Sequence, residues 1–318
     1  MTSTPTSLGA VVFDWAGTIL DFGSCAPMGA FVRLFEKFGV ALTIDEARGP
    51  MGMAKWDHIR ALGQLPRIAA QWQAVHGRPL TDADVDHLYE VFTPLNAAVV
   101  ADFADFIPGA VAMVDALRAR GLKIGSTTGY NRPIMEVVTH IAAAGGYVPD
   151  NLVCAGDLAA GRPSPLMMYR TFADLGVWPP SRVVKVDDTG VGIEEGLNAG
   201  TWTVGLAVSG NAVGLPLAQW EALDPAQQDV LRQTATAKLK AAGAHYVIDS
   251  VADLMPVLDD IYELTTSAPA PMDGQLRRRL APEAVVSLDW HNDMSKLVLD
   301  INERIEAAAD SGTANSNP

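Results

Sequence analysis

The chain has 318 residues, of which 49% are hydrophobic and 19% charged, a composition that can bury a sizeable core. Its net charge of −14 argues against nucleic acid or an anionic membrane surface as a partner. No apolar run approaches the ~20 residues of a membrane-spanning helix. Two cysteines form no disulfide framework, and the first residues show no signal peptide. We therefore expect a cytoplasmic protein.

Five short apolar runs, separated by helical patterns, are predicted as buried strands. They span residues 10–13, 122–125, 183–186, 202–208 and 245–249. This alternation predicts an α/β fold with a Rossmann-like, doubly wound parallel sheet, in which ligands bind beyond the carboxyl ends of the strands. Polar residues follow the first three runs, so we expect these residues to meet in one site.

The stretch between the first two strands departs from this alternation. Residues 23–102 show helical patterns, with Gly39, Gly63 and Gly77 predicted at helix ends. We interpret this stretch as a helical cap domain, inserted into a core domain of residues 1–22 and 103–264. Residues 265–318 are predicted to form a linker, an accessory C-terminal helix and a disordered tail.

The first strand ends at Asp14, in the sequence FDWAGT. The glycine that follows allows a tight turn whose amides can hold phosphate oxygens, and a carboxylate at this position can attack phosphorus. An aspartate at a strand end can also be a simple helix cap, so this motif needs support from others.

Three later motifs supply that support. GSTTGY offers the Thr128 hydroxyl and the Gly129 amide, AGRPSP offers the cation of Arg162, and VKVDDT offers Asp188 as an oxygen ligand for Mg²⁺. Taken singly, Arg162 is as consistent with a surface salt bridge, and Asp188 with a helix cap. The four motifs in this order resemble the haloacid dehalogenase superfamily, which implies an aspartyl-phosphate mechanism with Mg²⁺.

One position departs from the phosphatases and phosphomutases of that superfamily. They carry a second aspartate two residues after the nucleophile as general acid/base, and here that position is Ala16. An ester oxygen normally needs the proton that this aspartate supplies. A nucleophile without that acid suits a leaving group that is activated in another way.

The sequence PMGMAKWDHIRAL contains a candidate for that activation. Lys55 and His58 stand three residues apart, on one face of a predicted helix. The apolar neighbours Met51, Met53 and Trp56 would desolvate Lys55, lower its pKa and leave a neutral amine that can form a Schiff base with an aldehyde. A solvated lysine and a half-buried helix histidine are the plainer alternatives.

Together, FDWAGT, PMGMAKWDHIRAL, GSTTGY and AGRPSP resemble the phosphonoacetaldehyde hydrolases (phosphonatases), from about residue 9 to about residue 264. The resemblance implies a homodimer that cleaves the C–P bond of phosphonoacetaldehyde to acetaldehyde and phosphate, in 2-aminoethylphosphonate degradation. It implies that Asp14 is the nucleophile, that Lys55 forms the Schiff base and that His58 is a further catalytic residue. Metal ligands implied for Mg²⁺ are Asp14, the carbonyl of Ala16 and Asp188. Substrate-binding residues implied in the same way are Met51, Thr128, Gly129, Tyr130 and Arg162.

Two positions near Asp188 differ from the usual superfamily pattern. Gly192 stands where many members have an aspartate, and Asp187 stands where glycine is usual. From the sequence, either Asp187 or Glu194 can be the residue that compensates.

Two alternative functions remain open at this point. The first is a phosphate-ester hydrolase or phosphomutase of the same superfamily, against which Ala16 and Lys55 count. The second is a catalytically silent ligand-binding protein, against which the retention of Asp14, Lys55 and Asp188 counts.

Overall fold

The computed structural model of the protein describes residues 8–267. Its strands are β1 (Ala10–Phe13), β2 (Lys123–Thr128), β3 (Val153–Cys154), β4 (Val183–Asp187), β5 (Trp202–Leu206) and β6 (Tyr246–Ile248). All neighbouring strands are parallel, and they form one sheet in the order β3-β2-β1-β4-β5-β6. The predicted Rossmann-like parallel sheet is confirmed.

Helices flank this sheet and also form the stretch between β1 and β2. Between β1 and β2 lie α1 (Ala26–Lys37), α2 (Ile44–Arg48), α3 (Lys55–Gln64), α4 (Pro66–His76) and α5 (Asp82–Val99). The later helices are α6 (Ala110–Ala119), α7 (Arg132–Ala144), α8 (Leu166–Leu175), α9 (Gly190–Ala199), α10 (Leu217–Glu221), α11 (Pro225–Ala241) and α12 (Leu254–Ser267). Within residues 8–267, no helix is both long and apolar enough to cross a bilayer.

The predicted helix ends between β1 and β2 agree with the structure to within two residues. Gly77 ends α4 in the left-handed conformation, and Gly39, also at positive φ, follows the end of α1. Gly63 is the last residue but one of α3, and an added side chain there would also press on Leu80.

The predicted helical run that contains Lys55 is two helices separated by a turn. A capping box between Thr43 and Glu46 begins α2, and Gly52, with φ of 91°, lies in the turn before α3. Lys55 is therefore the first residue of α3. The turn brings this lysine to the carboxyl edge of the sheet, as the cavity described below shows.

The strand that follows α6 differs most from its prediction. β2 continues three residues beyond the predicted end, so Thr127 and Thr128 belong to the strand and pair with β3. β3 was missed because two residues are too short to show a periodic pattern. The carboxyl ends of β2, β1 and β4 consequently lie side by side, as the site requires.

The C-terminal boundary also differs from the prediction. α12 continues to Ser267, so the first three residues of the predicted linker, 265–267, are helical. The rest of the predicted linker, the accessory helix and the tail lie outside the described residues.

Candidate active site

A small cavity lies beyond the carboxyl ends of β1, β2 and β4, against the turn between α2 and α3. Of the predicted site residues, those that line it are Asp14, Ala16, Met51, Lys55, Thr128, Gly129, Tyr130, Arg162 and Asp188. We call the part formed by Asp14, Ala16, Thr128, Gly129, Arg162 and Asp188 the carboxylate end. We call the part formed by Met51, Lys55 and Tyr130 the amine end. His58 is not among the lining residues.

The turn and the sheet approach each other closely at Gly129. A Cβ atom at this position would lie 2.7 Å from the carbonyl oxygen of Met53 and 2.9 Å from that of Gly52. Only glycine fits such an approach of two backbones. The contact closes one side of the cavity and leaves the backbone of Gly129 at its wall.

Asp14 is held at the carboxylate end by β4 and by Arg162. Its backbone N–H donates to the carbonyl of Val186, and its Oδ1 atom lies 2.9 Å from Nη1 of Arg162. Burial raises the pKa of Asp14 to about 6, although the Arg162 cation opposes that rise. Above that pH the carboxylate is ionised and can act as a nucleophile or a metal ligand.

The carboxylate end also contains the elements of a metal site. Asp14, Asp187 and Asp188 each offer a carboxylate oxygen within 4.8 Å of the others, and all three are buried. Oδ1 of Asp188 is buried without a hydrogen-bond partner. Burial, with Asp14 and Asp187 nearby, raises the pKa of Asp188 well above its ordinary value. A bound cation would offset this crowding of like charges, so the residues present fit a metal ion.

The two departures near Asp188 are linked in space. A Cβ atom on Gly192 would lie 2.0 Å from Cγ of Asp187, so the Asp187 carboxylate occupies the space beside this glycine. Glu194 is exposed on α9 and takes no part in the site. Of the two candidates, Asp187 is therefore the residue that adds a carboxylate here.

A buried ionic cluster stands directly behind the cavity. It consists of Thr127, Arg162, Lys185, Asp187 and Glu195, all less than 5% exposed. Nζ of Lys185 lies 3.0 Å from Oδ2 of Asp187 and 3.2 Å from Oε2 of Glu195, and donates to the Thr127 hydroxyl at 2.7 Å.

Sequence reasoning missed the roles of Thr127, Lys185 and Glu195 in this cluster. The available signal was a lysine in the middle of an apolar strand, RVVKVDD, because a buried cation needs an anionic partner. That signal identifies Lys185 but not its partners, which come from other elements.

The amine end contrasts with this cluster because Lys55 lies among apolar groups. Its Nζ atom is 3.9 Å from the Met51 sulfur, 5.0 Å from the Tyr130 ring centroid and 5.7 Å from that of Phe31. Among the described residues, no carboxylate lies within ion-pair distance of Nζ. Burial lowers the pKa of Lys55 to about 8, even though Asp14 favours the charged form. A neutral amine is therefore accessible near physiological pH.

His58 lies beneath the amine end, fully buried, with its ring 4.0 Å from that of Phe31 between centroids. Its Nε2 atom is 2.8 Å from the Ala47 carbonyl oxygen, which can only accept, so Nε2 carries the hydrogen. Burial, and then the nearby Lys55, hold the pKa of His58 well below its ordinary value. The ring is thus neutral, and its Nδ1 atom is an acceptor without a hydrogen-bond partner.

A family model of haloacid dehalogenase-like hydrolases matches residues 8–200. The β-phosphoglucomutase structure of Clostridium difficile shares the fold, with a TM-score of 0.61 and 16% identity, covering 82% of this chain and 100% of that chain. Together with the sheet and its carboxylate end, the match to the family model defines the class of the protein as a haloacid dehalogenase-like hydrolase.

More similar relatives narrow that class. The phosphonoacetaldehyde hydrolase of Paraburkholderia phytofirmans is 58% identical over 252 residues, 79% of this chain and 94% of that protein. The phosphonoacetaldehyde hydrolase of Aeromonas hydrophila is 52% identical, over 80% of this chain and 92% of that protein. The structure of a phosphonoacetaldehyde hydrolase-like protein from Oleispira antarctica matches with a TM-score of 0.82 and 43% identity, over 85% and 97% of the two chains. The chain belongs to the phosphonoacetaldehyde hydrolase family.

Proposed function

We propose that this protein hydrolyses the C–P bond of phosphonoacetaldehyde to acetaldehyde and phosphate. One observation carries the proposal: a buried lysine with a lowered pKa and a buried aspartate line the same cavity. An amine that can be neutral suits an aldehyde, and a carboxylate suits phosphorus. In phosphonoacetaldehyde, the phosphorus is bonded to the carbon next to the aldehyde group. Such a reaction would complete the degradation of 2-aminoethylphosphonate once its amine has become an aldehyde.

At the carboxylate end, the phosphonate would bind to the Arg162 guanidinium, the Thr128 hydroxyl and the Gly129 amide. Asp14, the carbonyl of Ala16 and Asp188 would hold Mg²⁺, a cation that prefers oxygen ligands. A cation held there would neutralise charge, so that the anionic Asp14 carboxylate could approach the anionic phosphonate. The fixed position of Asp14 against β4 and Arg162 then aims its carboxylate at phosphorus.

At the amine end, neutral Lys55 would attack the aldehyde carbon, and the resulting carbinolamine would take up one proton from solvent and lose water to leave an iminium. An oxygen of Asp14 then bonds to phosphorus while the C–P bond breaks, and the electron pair of that bond moves onto the iminium nitrogen to give an enamine. Protonation at carbon and hydrolysis release acetaldehyde and return Lys55. A second water hydrolyses the aspartyl-phosphate and releases phosphate.

Ala16 is consistent with this route. The departing carbon needs an electron sink and not an immediate proton, so the acid that phosphatases place at this position is unnecessary. His58 follows Lys55 by three residues on α3, and its neutral Nδ1 atom would accept the proton that the attacking amine loses, directly or through water.

The test measures acetaldehyde and phosphate released from phosphonoacetaldehyde, beside phosphate released from a set of phosphate monoesters. We expect turnover of the phosphonate and its loss in excess chelator. Asp14→Asn should lower kcat by at least about a thousandfold, because an amide neither attacks phosphorus nor binds Mg²⁺ well. Faster turnover of a monoester, or full activity in chelator, would contradict the proposal.

A further inference from the structure

The carboxylate of Asp187 belongs to the buried ionic cluster and not to the cavity wall, which raises the question of what it does. We propose that Asp187 is a positioning residue for Arg162, and that the glycine at position 192 supplies the space in which its carboxylate sits. The inference rests on the proposed function in one respect, the binding of a phosphoryl group by Arg162.

The Asp187 carboxylate fills the space beside Gly192. A Cβ atom there would lie 2.0 Å from Cγ, 2.1 Å from Oδ2 and 2.2 Å from Oδ1 of Asp187. The whole carboxylate therefore fills the volume that any side chain at 192 needs. Gly192 lies in the first turn of α9, where helical backbone suits other residues better by about 1 kcal/mol. The backbone conformation at position 192 does not require glycine, whereas the space taken by the Asp187 carboxylate does.

The Asp187 carboxylate is held by partners within the chain. Its Oδ1 atom accepts from the backbone N–H of Thr189 at 3.0 Å and from the Thr189 hydroxyl at 2.7 Å. Its Oδ2 atom lies 3.0 Å from Nζ of Lys185 and 3.3 Å from Nη2 of Arg162. Oδ1 is thus hydrogen-bonded within the protein, whereas Oδ2 forms two ion pairs but no hydrogen bond. The Asp187 carboxylate therefore acts mainly on cations of the chain.

Carboxylates surround the guanidinium group of Arg162 and orient it. Three of its nitrogens meet three different carboxylates: Nη1 that of Asp14 at 2.9 Å, Nη2 that of Asp187 at 3.3 Å, and Nε that of Glu195 at 3.0 Å. A planar guanidinium held at all three corners cannot rotate. Displacing the Asp187 carboxylate removes the anion beside Nη2 and leaves that nitrogen to the carbonyl and hydroxyl of Thr127, at 2.6 and 3.1 Å, which alters the set of contacts that orients Nη1 towards Asp14.

The key variant is Gly192→Ala, because it displaces this carboxylate without changing any charge. We expect inorganic phosphate, titrated calorimetrically in buffer with saturating Mg²⁺, to bind about tenfold more weakly, as for one weakened charged contact. Gly190→Ala is the matched control: it lies in the same turn, and its Cβ would make only an ordinary contact at 3.5 Å with Ala242. This control should bind phosphate as the natural protein does.

Two double variants separate positioning from packing. Asp187→Gly with Gly192→Ala makes room for the methyl group, so the steric clash is removed while phosphate affinity should stay low. Asp187→Gly with Gly192→Asp returns a carboxylate to the same space from the other side, so phosphate affinity should recover to within about threefold. The double variants also keep the test decisive if Gly192→Ala alone unfolds.

Three results would overturn the inference. They are unchanged phosphate affinity in folded Gly192→Ala, full affinity in the double variant without a carboxylate, and no phosphate binding by the natural protein. In the last case, C–P cleavage by the same preparation would leave the proposed function intact. Conversely, the variants are scored on phosphate affinity alone, so a protein that fails to cleave the phosphonate still tests Asp187.

Discussion

Two lysines of this protein are almost fully buried, yet they lie in opposite surroundings. Lys185, in the buried ionic cluster, lies 3.0 and 3.2 Å from two carboxylates and bonds a threonine hydroxyl. Lys55, at the amine end, has a thioether at 3.9 Å and two aromatic rings within 6 Å. The same side chain can therefore be a structural cation in one place and a nucleophile in the other.

The difference lies in what compensates the lost hydration. Ion pairs replace water around a buried ammonium group and keep its charge, whereas apolar groups do not and make the neutral amine more stable. At the carboxylate end, ion pairs keep Arg162 charged. At the amine end, apolar groups favour the neutral form of Lys55. A reaction that needs a fixed cation for phosphate and a free amine for an aldehyde requires both in one cavity.

The largest effect we expect is that of Lys55→Arg. Guanidinium keeps the positive charge but stays protonated and forms no iminium, so turnover of the phosphonate should fall by about 10⁴-fold. Borohydride added during turnover should inactivate the natural protein only when substrate is present, and peptide mass analysis should find the reduced adduct on Lys55. Lys238→Arg, an exposed lysine of α11, is the matched control and should be unaffected. Substantial activity in Lys55→Arg without any adduct would remove covalent catalysis and favour an ordinary phosphatase.

A pair of methionine substitutions should change stability in opposite directions. Lys185→Met strands two buried carboxylates and should lower the free energy of unfolding by about 3–5 kcal/mol. Lys55→Met removes an amine without an anionic partner and should raise it by about 1–3 kcal/mol at pH 7. In the folded protein the pKa of Lys55 is about 8, which is lower than in the unfolded chain. Burial of the charged amine therefore lowers the free energy of unfolding by its full amount below pH 8. This destabilisation diminishes as the pH rises from about 8 to the unfolded value of about 10.5, and the gain from Lys55→Met diminishes with it.

Urea unfolding at pH 7 and at pH 10 measures both effects. If both substitutions lowered the free energy of unfolding by similar amounts, the two ammonium groups would be stabilised by their surroundings to the same degree.

The smallest effect concerns the pH dependence of turnover. Because iminium formation needs the neutral amine, kcat/KM should rise with pH through about 8 and be about tenfold below its plateau at pH 7. Met51→Glu would give Lys55 an anionic neighbour and should move this rise upward by about one pH unit or more. Met51→Leu, which keeps the surroundings apolar, should leave the rise unchanged. A profile that is the same in all three proteins would show that another group controls it.

The sequence by itself determined the features that depend on residues close together in the chain. The strand at 10–13, the turn after Asp14 and the thioether of Met51 beside Lys55 are local patterns, and the structure has the strand and the lowered Lys55 pKa as expected. The two rings at Lys55, Phe31 and Tyr130, come instead from distant positions and were not among its predicted neighbours. Alternating strands and helices also determined the parallel sheet. Local residues suffice here because backbone geometry places successive strand ends at one edge.

Only the tertiary structure decided what the buried charges bind. Thr127, Arg162, Lys185 and Glu195 are spread over nearly seventy residues and meet because β2 and β4 flank β1 while α9 packs behind them. The carboxylate at Asp187 beside Gly192 shows the same limit, since the sequence offered both Asp187 and Glu194 as compensating residues and only the structure decided between them. Pair energies of buried charges depend on distances of a few ångströms across elements, and no periodic pattern along the chain encodes those distances.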